Sequence, residues 1–289
     1  MIVAVVLALG AGLAYAVAAV LQQRAAALQP SELSLSLGLI RALAHQRVWL
    51  LGTAADVAGY LLEAAALGAG SIIVVGPLLV SGLLFAIPLA TLGTGQRATR
   101  REMVPALALT VGLAIFVIVG SPEGGMGQPP LWGWILAGVG VGVGAGFCIE
   151  VGRKARNPAS RSVWFATGTG VLYGLTAVLT KTTVDLFGSG LGGVLGAFTH
   201  WPPYALIVVS VAALVLNQSA FQASHVVASL PAISVVNPVV SALLGVTLLR
   251  ESLGATGPVE VGITTLAVVV MVIGTVQLAR SPLVAHQSL

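Results

Sequence analysis

Nine runs of apolar residues, each near the length needed to cross the ~30 Å hydrocarbon core of a bilayer, divide this chain from end to end. They fall near residues 2–21, 48–68, 71–93, 103–120, 131–149, 162–184, 203–222, 225–249 and 259–279. Backbone in hydrocarbon must satisfy its own hydrogen-bonding groups, so runs of this length predict α-helices. Residues 31–46, SELSLSLGLIRALAHQ, are shorter and moderately apolar, and Pro30 with Ser31 offers a helix start. They read either as a short tenth span or as a helix lying at the membrane interface. Charged residues are only 8% of the chain, against about 25% in a soluble domain, so nothing could cover a water-facing surface. The expectation is an all-α polytopic membrane protein, a single transmembrane domain over residues 1–289.

The first run, MIVAVVLALGAGLAYAVAA, has the small residues of a signal peptide near its end, but no basic residue precedes it; the first is Arg24. A cleaved signal carries a basic leader, so the run reads as a retained span. The single cysteine, Cys148, excludes a disulfide framework or a cysteine metal cluster.

The net charge of +4 does not point to nucleic acid, because the basic residues sit in short connections. GQRATRRE carries Arg97, Arg100 and Arg101, and GRKARNPASR carries Arg153, Lys154, Arg156 and Arg161, whereas SPEGGMGQPP carries none. Basic connections stay cytoplasmic. If 31–46 crosses and the chain starts on the cytoplasmic side, ten of the thirteen Lys and Arg lie inside, leaving Arg24, Lys181 and Arg250 outside. If it does not cross, only Arg24 and the start of the chain change sides. Either way the C-terminus is expected in the cytoplasm and the protein in the cell membrane, with the bilayer as its first partner.

The sequence also repeats itself. DVAGYLLEAAALGAGSIIVVGP, from Asp56 to Pro77, aligns with NQSAFQASHVVASLPAISVVNP, from Asn217 to Pro238, at an offset of 161. Asp56 then matches Asn217, Tyr60 matches Phe221, Glu63 matches Ser224, and Gly76-Pro77 matches Asn237-Pro238. Upstream, GAGLAYAVAAVL at Gly10 matches GTGVLYGLTAVL at Gly168, at the close offset of 158. An odd number of spans separates the copies, so they insert in opposite directions, with residues 1–120 as one half and 131–279 as the other. Inverted repeats of this kind are a transporter signature, and their binding site lies near the midplane where the halves meet.

These residues resemble a family. RVWLLGTAADVAGYLLEAAALGAGSIIVVGPLLVSGLL is similar to the third and fourth helices of the drug/metabolite transporter superfamily (EamA-like), and LNQSAFQASHVVASLPAISVVNPVVSALLGVTLLRE to the matching pair of the second half, with Glu251 at a helix end. The resemblance implies about ten transmembrane helices, nine long and one short, as two inverted five-helix halves, with 31–46 as the short second helix. Within the superfamily the nearest look is of the NIPA-like magnesium transporters. Their first half has a Gly-Glu pair before the proline helix; here that place holds Gly59-Tyr60, and the nearest acid is Glu63.

Asp56, Tyr60 and Glu63, spaced by four and three, fall on one helix face, with Gly52 and Gly59 letting a backbone or ligand come close. An ionised carboxylate facing lipid is costly, so such residues normally face the bundle interior, a partner or a water-filled path. They therefore read as lining an internal cavity, or as neutralising a basic partner such as Lys181. Gln218, Gln222 and His225 share a face by the same spacing, beside Asn217. They could bind a polar solute or an ion, or simply hydrogen-bond between helices. Pro77, Pro88, Pro231 and Pro238 free carbonyls that could line a polar site, with Gly76-Pro77 and Asn237-Pro238 as a symmetric pair, or simply kink their helices.

GVGVGVGAGF has no preceding strand and no following Lys-Ser/Thr, so it is not a phosphate loop. Gly138, Gly142 and Gly146, four apart, suit close helix packing. Glu150 and Arg153 to Arg156 read as interfacial, and Arg250-Glu251 as a helix end. No Cys/His cluster, nucleophile elbow or His-Glu-x-x-His pattern is present, so nothing supports an enzyme, and no cofactor is called for beyond a coupling proton or cation. The expected function is alternating-access transport of a small solute or cation, through a midplane site that includes Asp56, Tyr60, Glu63, Asn217, Gln218, Gln222, His225 and Asn237. Two alternatives stand beside it: a magnesium or other divalent-cation transporter, and a non-transporting membrane scaffold, with a homodimer compatible with either.

Overall fold

The computed structural model describes residues 2–69, 78, 82–92, 99–120, 122–123, 129–187, 199–250, 252–253 and 257–280. Among them are ten α-helices: α1 (Ile2–Ala27), α2 (Leu37–Leu43), α3 (Arg47–Ala69), α4 (Gly82–Thr91), α5 (Arg100–Gly120), α6 (Leu131–Lys154), α7 (Pro158–Phe187), α8 (Pro202–Ala223), α9 (Val226–Thr247) and α10 (Pro258–Ala279). The chain is an all-α, multi-pass membrane protein. Among the described residues six helices, α1 and α6 to α10, are long and apolar enough to cross a bilayer. The strands β1 (Pro122–Glu123) and β2 (Ser252–Leu253) pair antiparallel and tie two connections together at one end of the bundle.

Local chemistry sets the helix starts. Proline opens α7, α8 and α10, where its missing N–H costs nothing. At α5 the Glu102 carboxylate reaches back to the Thr99 N–H at 2.9 Å, a capping box.

Glycine sets the packing. A Cβ on Gly174 would lie 2.6 Å from Val240 Cγ1 and one on Gly170 2.7 Å from Val236 Cβ, so α7 and α9 run side by side with backbones almost touching. Gly82 meets the Gly12 carbonyl in the same way, locking α4 to α1. Gly112 against the Ala267 carbonyl, and Gly274 against the Pro105 carbonyl, join α5 and α10 antiparallel.

The contacts between α1 and α3 decide how the chain enters the membrane. Gly52 packs on Ala18 and Gln22, Gly59 on Tyr15, and Leu62 reaches Gly10. Position rises along α3 as it falls along α1, so the two helices are antiparallel neighbours. The connection between them starts and ends on one side of the bundle, and the expectation that 31–46 forms a tenth crossing is corrected. Its helix, α2, has seven residues and is about 10 Å long, a third of the hydrocarbon thickness. Instead it plugs that end: Leu39 and Leu43 are fully buried, and Leu35, at φ 60, donates its N–H to Ser219 Oγ of α8 at 2.9 Å. Cysteines placed at Ser34 and Arg156 are therefore expected to react with an impermeant maleimide from the same face of the membrane. Labelling from opposite faces would restore the tenth crossing.

A second correction concerns Gly138, Gly142 and Gly146. A Cβ on any of them meets nothing within 4 Å. The face of α6 that packs inward carries Trp134, Val141, Ala145 and Cys148, and a period of four steps round the helix by about 40° each time, away from that face. With Ile135, Val139, Val143 and Phe147 exposed beside them, these glycines belong to the lipid-facing side. Gly76, Pro77 and Glu251 lie outside the described residues.

Candidate functional site

The first carboxylate of α3, Asp56, accepts a hydrogen bond from Gln22 Nε2 of α1 at 3.0 Å. Gln22 Oε1 accepts from Gln218 Nε2 of α8 at 2.8 Å, and Gln218 Oε1 accepts from Trp49 Nε1 at 3.2 Å. Three helices are thus joined by one chain of amides ending in a carboxylate. Gln22 and Gln218 are buried, whereas Asp56 is exposed. Two turns along α3, half-buried Glu63 accepts from Tyr15 Oη at 2.5 Å. Tyr60 has 66% of its surface exposed and stands at the rim of this face.

Asn217 of α8 and Tyr173 of α7 form a second couple. The Asn217 side chain hydrogen-bonds the Tyr173 hydroxyl. Asn217 is buried, and its Oδ1 has no hydrogen-bond partner. A buried acceptor without a donor is uncommon and costs about 1–3 kcal/mol of desolvation. The site therefore offers negative charge at Asp56 and Glu63, one idle acceptor at Asn217, and two phenols. A group that brings positive charge or N–H and O–H donors would complement it. No cluster of three or more His, Cys, Asp or Glu side chains that could hold a metal occurs among the described residues.

The remaining expected site residues lie elsewhere. Gln222 donates to the carbonyls of Gln29 and Pro30, at 3.3 and 2.7 Å. His225 caps α9, its Nδ1 accepting from Val227 N at 3.4 Å, and it also bonds the backbone of Ala90. Burial holds this imidazole below the usual histidine range, which keeps it neutral and able to accept. With Arg24 donating to the Leu92 carbonyl at 2.5 Å, and Gln23 to the Ser224 carbonyl at 3.4 Å, these groups fasten the end of the bundle where α1, α4 and α8 meet. Asn237 accepts from Ser241 Oγ at 3.2 Å within α9, and Pro231 and Pro238 lie inside the same helix.

Tyr15, Gln22, Trp49 and Tyr173 are site residues that sequence reasoning passed over. A signal for two of them existed, since Tyr15 and Tyr173 are the sixth residues of the strings that repeat at an offset of 158.

No protein-family model matches the chain, and no solved structure matches it. An uncharacterized protein of Corynebacterium glutamicum is 33% identical over 286 residues, covering 97% of this chain and 96% of that protein. The chain belongs to that protein's family. The likeness runs along the whole chain, from α1 to α10.

In this family member Gln218→Leu tests the amide chain. It leaves Trp49 Nε1 and Gln22 Oε1 without partners, so the thermal midpoint in detergent is expected to fall by the equivalent of about 1–2 kcal/mol, the range for an interhelical hydrogen bond in a membrane. An unchanged midpoint would show that the chain of amides contributes nothing to stability.

Proposed function

We propose that this protein is a secondary transporter, similar to the EamA-like drug/metabolite transporters, that moves a small solute or cation by alternating access through the Asp56 site. One observation carries the reading: Asp56 and Glu63, two carboxylates within one apolar helix, are each held by a polar side chain of α1, and Tyr15 and Tyr173, at matching places of the repeat, are paired one to an acid and the other to an amide. Carboxylates within a membrane span are costly, and where they occur they commonly mark a substrate or ion path. Further support comes from direction. α7 and α8 are antiparallel, with Ser162 Oγ bonded to the Ala220 carbonyl and Gly168 against Leu216, just as α1 and α3 are. With α2 off the crossing count, each helix of α1, α3, α4 and α5 runs opposite to its counterpart among α7, α8, α9 and α10, the arrangement of inverted halves.

The end that carries Arg24, Arg100, Arg153 and Arg280 is assigned to the cytoplasm of the plasma membrane. Arg24 now joins the inside set, which makes eleven of the thirteen basic residues cytoplasmic. Labelling of residue 156 from outside intact cells would overturn that orientation. The scaffold reading draws on Gln218 and Gln222, whose amides are satisfied by protein groups. The two are separated by initial uptake into proteoliposomes, tested against divalent cations, amino acids and amines. Saturable uptake of one class, driven by a proton or ion gradient, supports transport. No uptake of any class, from vesicles shown to be sealed, supports the scaffold.

A further inference from the structure

A groove of about 600 Å³, lined by none of the Asp56-site residues, lies between α6 and α9, with Val171 of α7 also in its lining. Its floor is Gly140 and Gly144, its walls are Leu136 and Leu243, and Trp132 and Arg250 stand at its mouth. The floor is open: a Cβ on Gly140 would touch nothing within 4 Å. From Leu131 to Gly144 the helix rises about 20 Å, roughly the depth of one leaflet with its headgroup region. Trp132 is exposed at the level where indoles mark the membrane surface.

Arg250 gives this apolar groove a charged end. It is exposed and follows α9 with φ 53, the left-handed conformation that normally selects glycine just past a helix. A long cationic side chain held in that backbone region, at the mouth of a greasy trough one leaflet deep, matches one chemistry. We propose that the groove binds an anionic phospholipid of the leaflet at the Arg250 end, one acyl chain lying over Gly140 and Gly144 and the phosphate paired with the Arg250 guanidinium. The inference stands apart from the transport reading, since the groove lies outside the Asp56 site.

The test uses the full chain in nanodiscs of equal phosphatidylglycerol and phosphatidylcholine with identical acyl chains. Lipids retained after transfer to detergent are counted by native mass spectrometry. The wild-type chain is expected to retain phosphatidylglycerol over phosphatidylcholine by about fivefold, the preference one cation supplies at a headgroup. Arg250→Gln should bring the two lipids level, and Gly140→Leu should reduce retention of both with no change in thermal midpoint. Equal retention by the wild-type chain overturns the proposal, as does an Arg250→Gln variant that keeps the preference. A dimer that Gly140→Leu dissociates, with retained lipid unchanged, would also overturn it by showing a second copy of the chain in the groove.

Discussion

Uptake by Glu63→Gln is expected to fall to background, or to lose its dependence on pH or on the driving ion, while the protein folds as before. Glutamine keeps the shape and still offers Oε1 to the Tyr15 hydroxyl, which now sits 2.5 Å from the carboxylate. Only the charge is lost. An ionised carboxylate within a membrane span carries a penalty of about 2.5–3.5 kcal/mol, so removing it should leave stability level or slightly higher. Function has no such relief, because a cation or proton that binds at Glu63 loses its counter-charge. Asp56→Asn is expected to do less, since the second half already carries Asn217 at the matching place, and the new side-chain amide would still accept from Gln22. Tyr60→Phe should be mild, because Phe221 occupies the matching place and Tyr60 stands exposed at the rim. The measurement is initial rate against pH for the three variants, beside their melting curves. Normal transport with early melting in Glu63→Gln would make the carboxylate a structural partner of Tyr15.

The largest effect on folding is expected at Gly174. Its missing side chain lets α7 approach until a Cβ would lie 2.6 Å from Val240 Cγ1 and 3.1 Å from Ser241 N. The second of these is backbone and cannot rotate away. Overpacking of this kind costs about 1–3 kcal/mol for added methylenes in a core, and Gly174→Leu adds a full side chain against a neighbouring helix. It should lose most of its folded yield in detergent and lower the thermal midpoint of what remains. Gly142→Leu is the paired control, because a Cβ there meets nothing within 4 Å; it should melt like the wild type. Equal melting of both variants would refute the close α7–α9 approach.

Much of the fold is legible in the sequence because crossing length is a simple signal: α6 to α10 fall where the long apolar runs place them. The second helix is not legible. Leu39 and Leu43 look like membrane residues in the string, yet they are buried against protein, and hydropathy does not distinguish the two surroundings. Asp56 and Glu63 stand out because charge is rare in such a chain. Gln22, the partner of Asp56, does not, since the first apolar run ends at residue 21 while α1 continues to Ala27. Gln222 lies one turn beyond Gln218 on α8, but the helix ends at Ala223 with Ser224 extended, so His225 caps α9 and the expected three-residue face is corrected; spacing fixes an angle only while the helix continues, and never a depth along it. Those two side chains reach the bundle end, where free backbone carbonyls and N–H groups attract them. The glycines of α6 fail for a related reason: a small residue permits close approach, but only a neighbour on that side makes use of it.

The amide chain from Asp56 to Trp49 has a consequence for motion. Gln218 enters from α8 and is held between α1 and α3 by two neutral hydrogen bonds. Withdrawing it moves no net charge and titrates no group, so the free energy of that separation should be nearly flat against salt and pH. The α5–α10 seam, with Gly112 and Gly274 pressed on opposing carbonyls, has no comparable looseness. A bundle fastened rigidly along one seam, and by exchangeable amides along another, behaves like a book with a stiff spine. On the proposed transport reading, opening in response to protons or cations then has to act through Glu63 and Asp56 themselves.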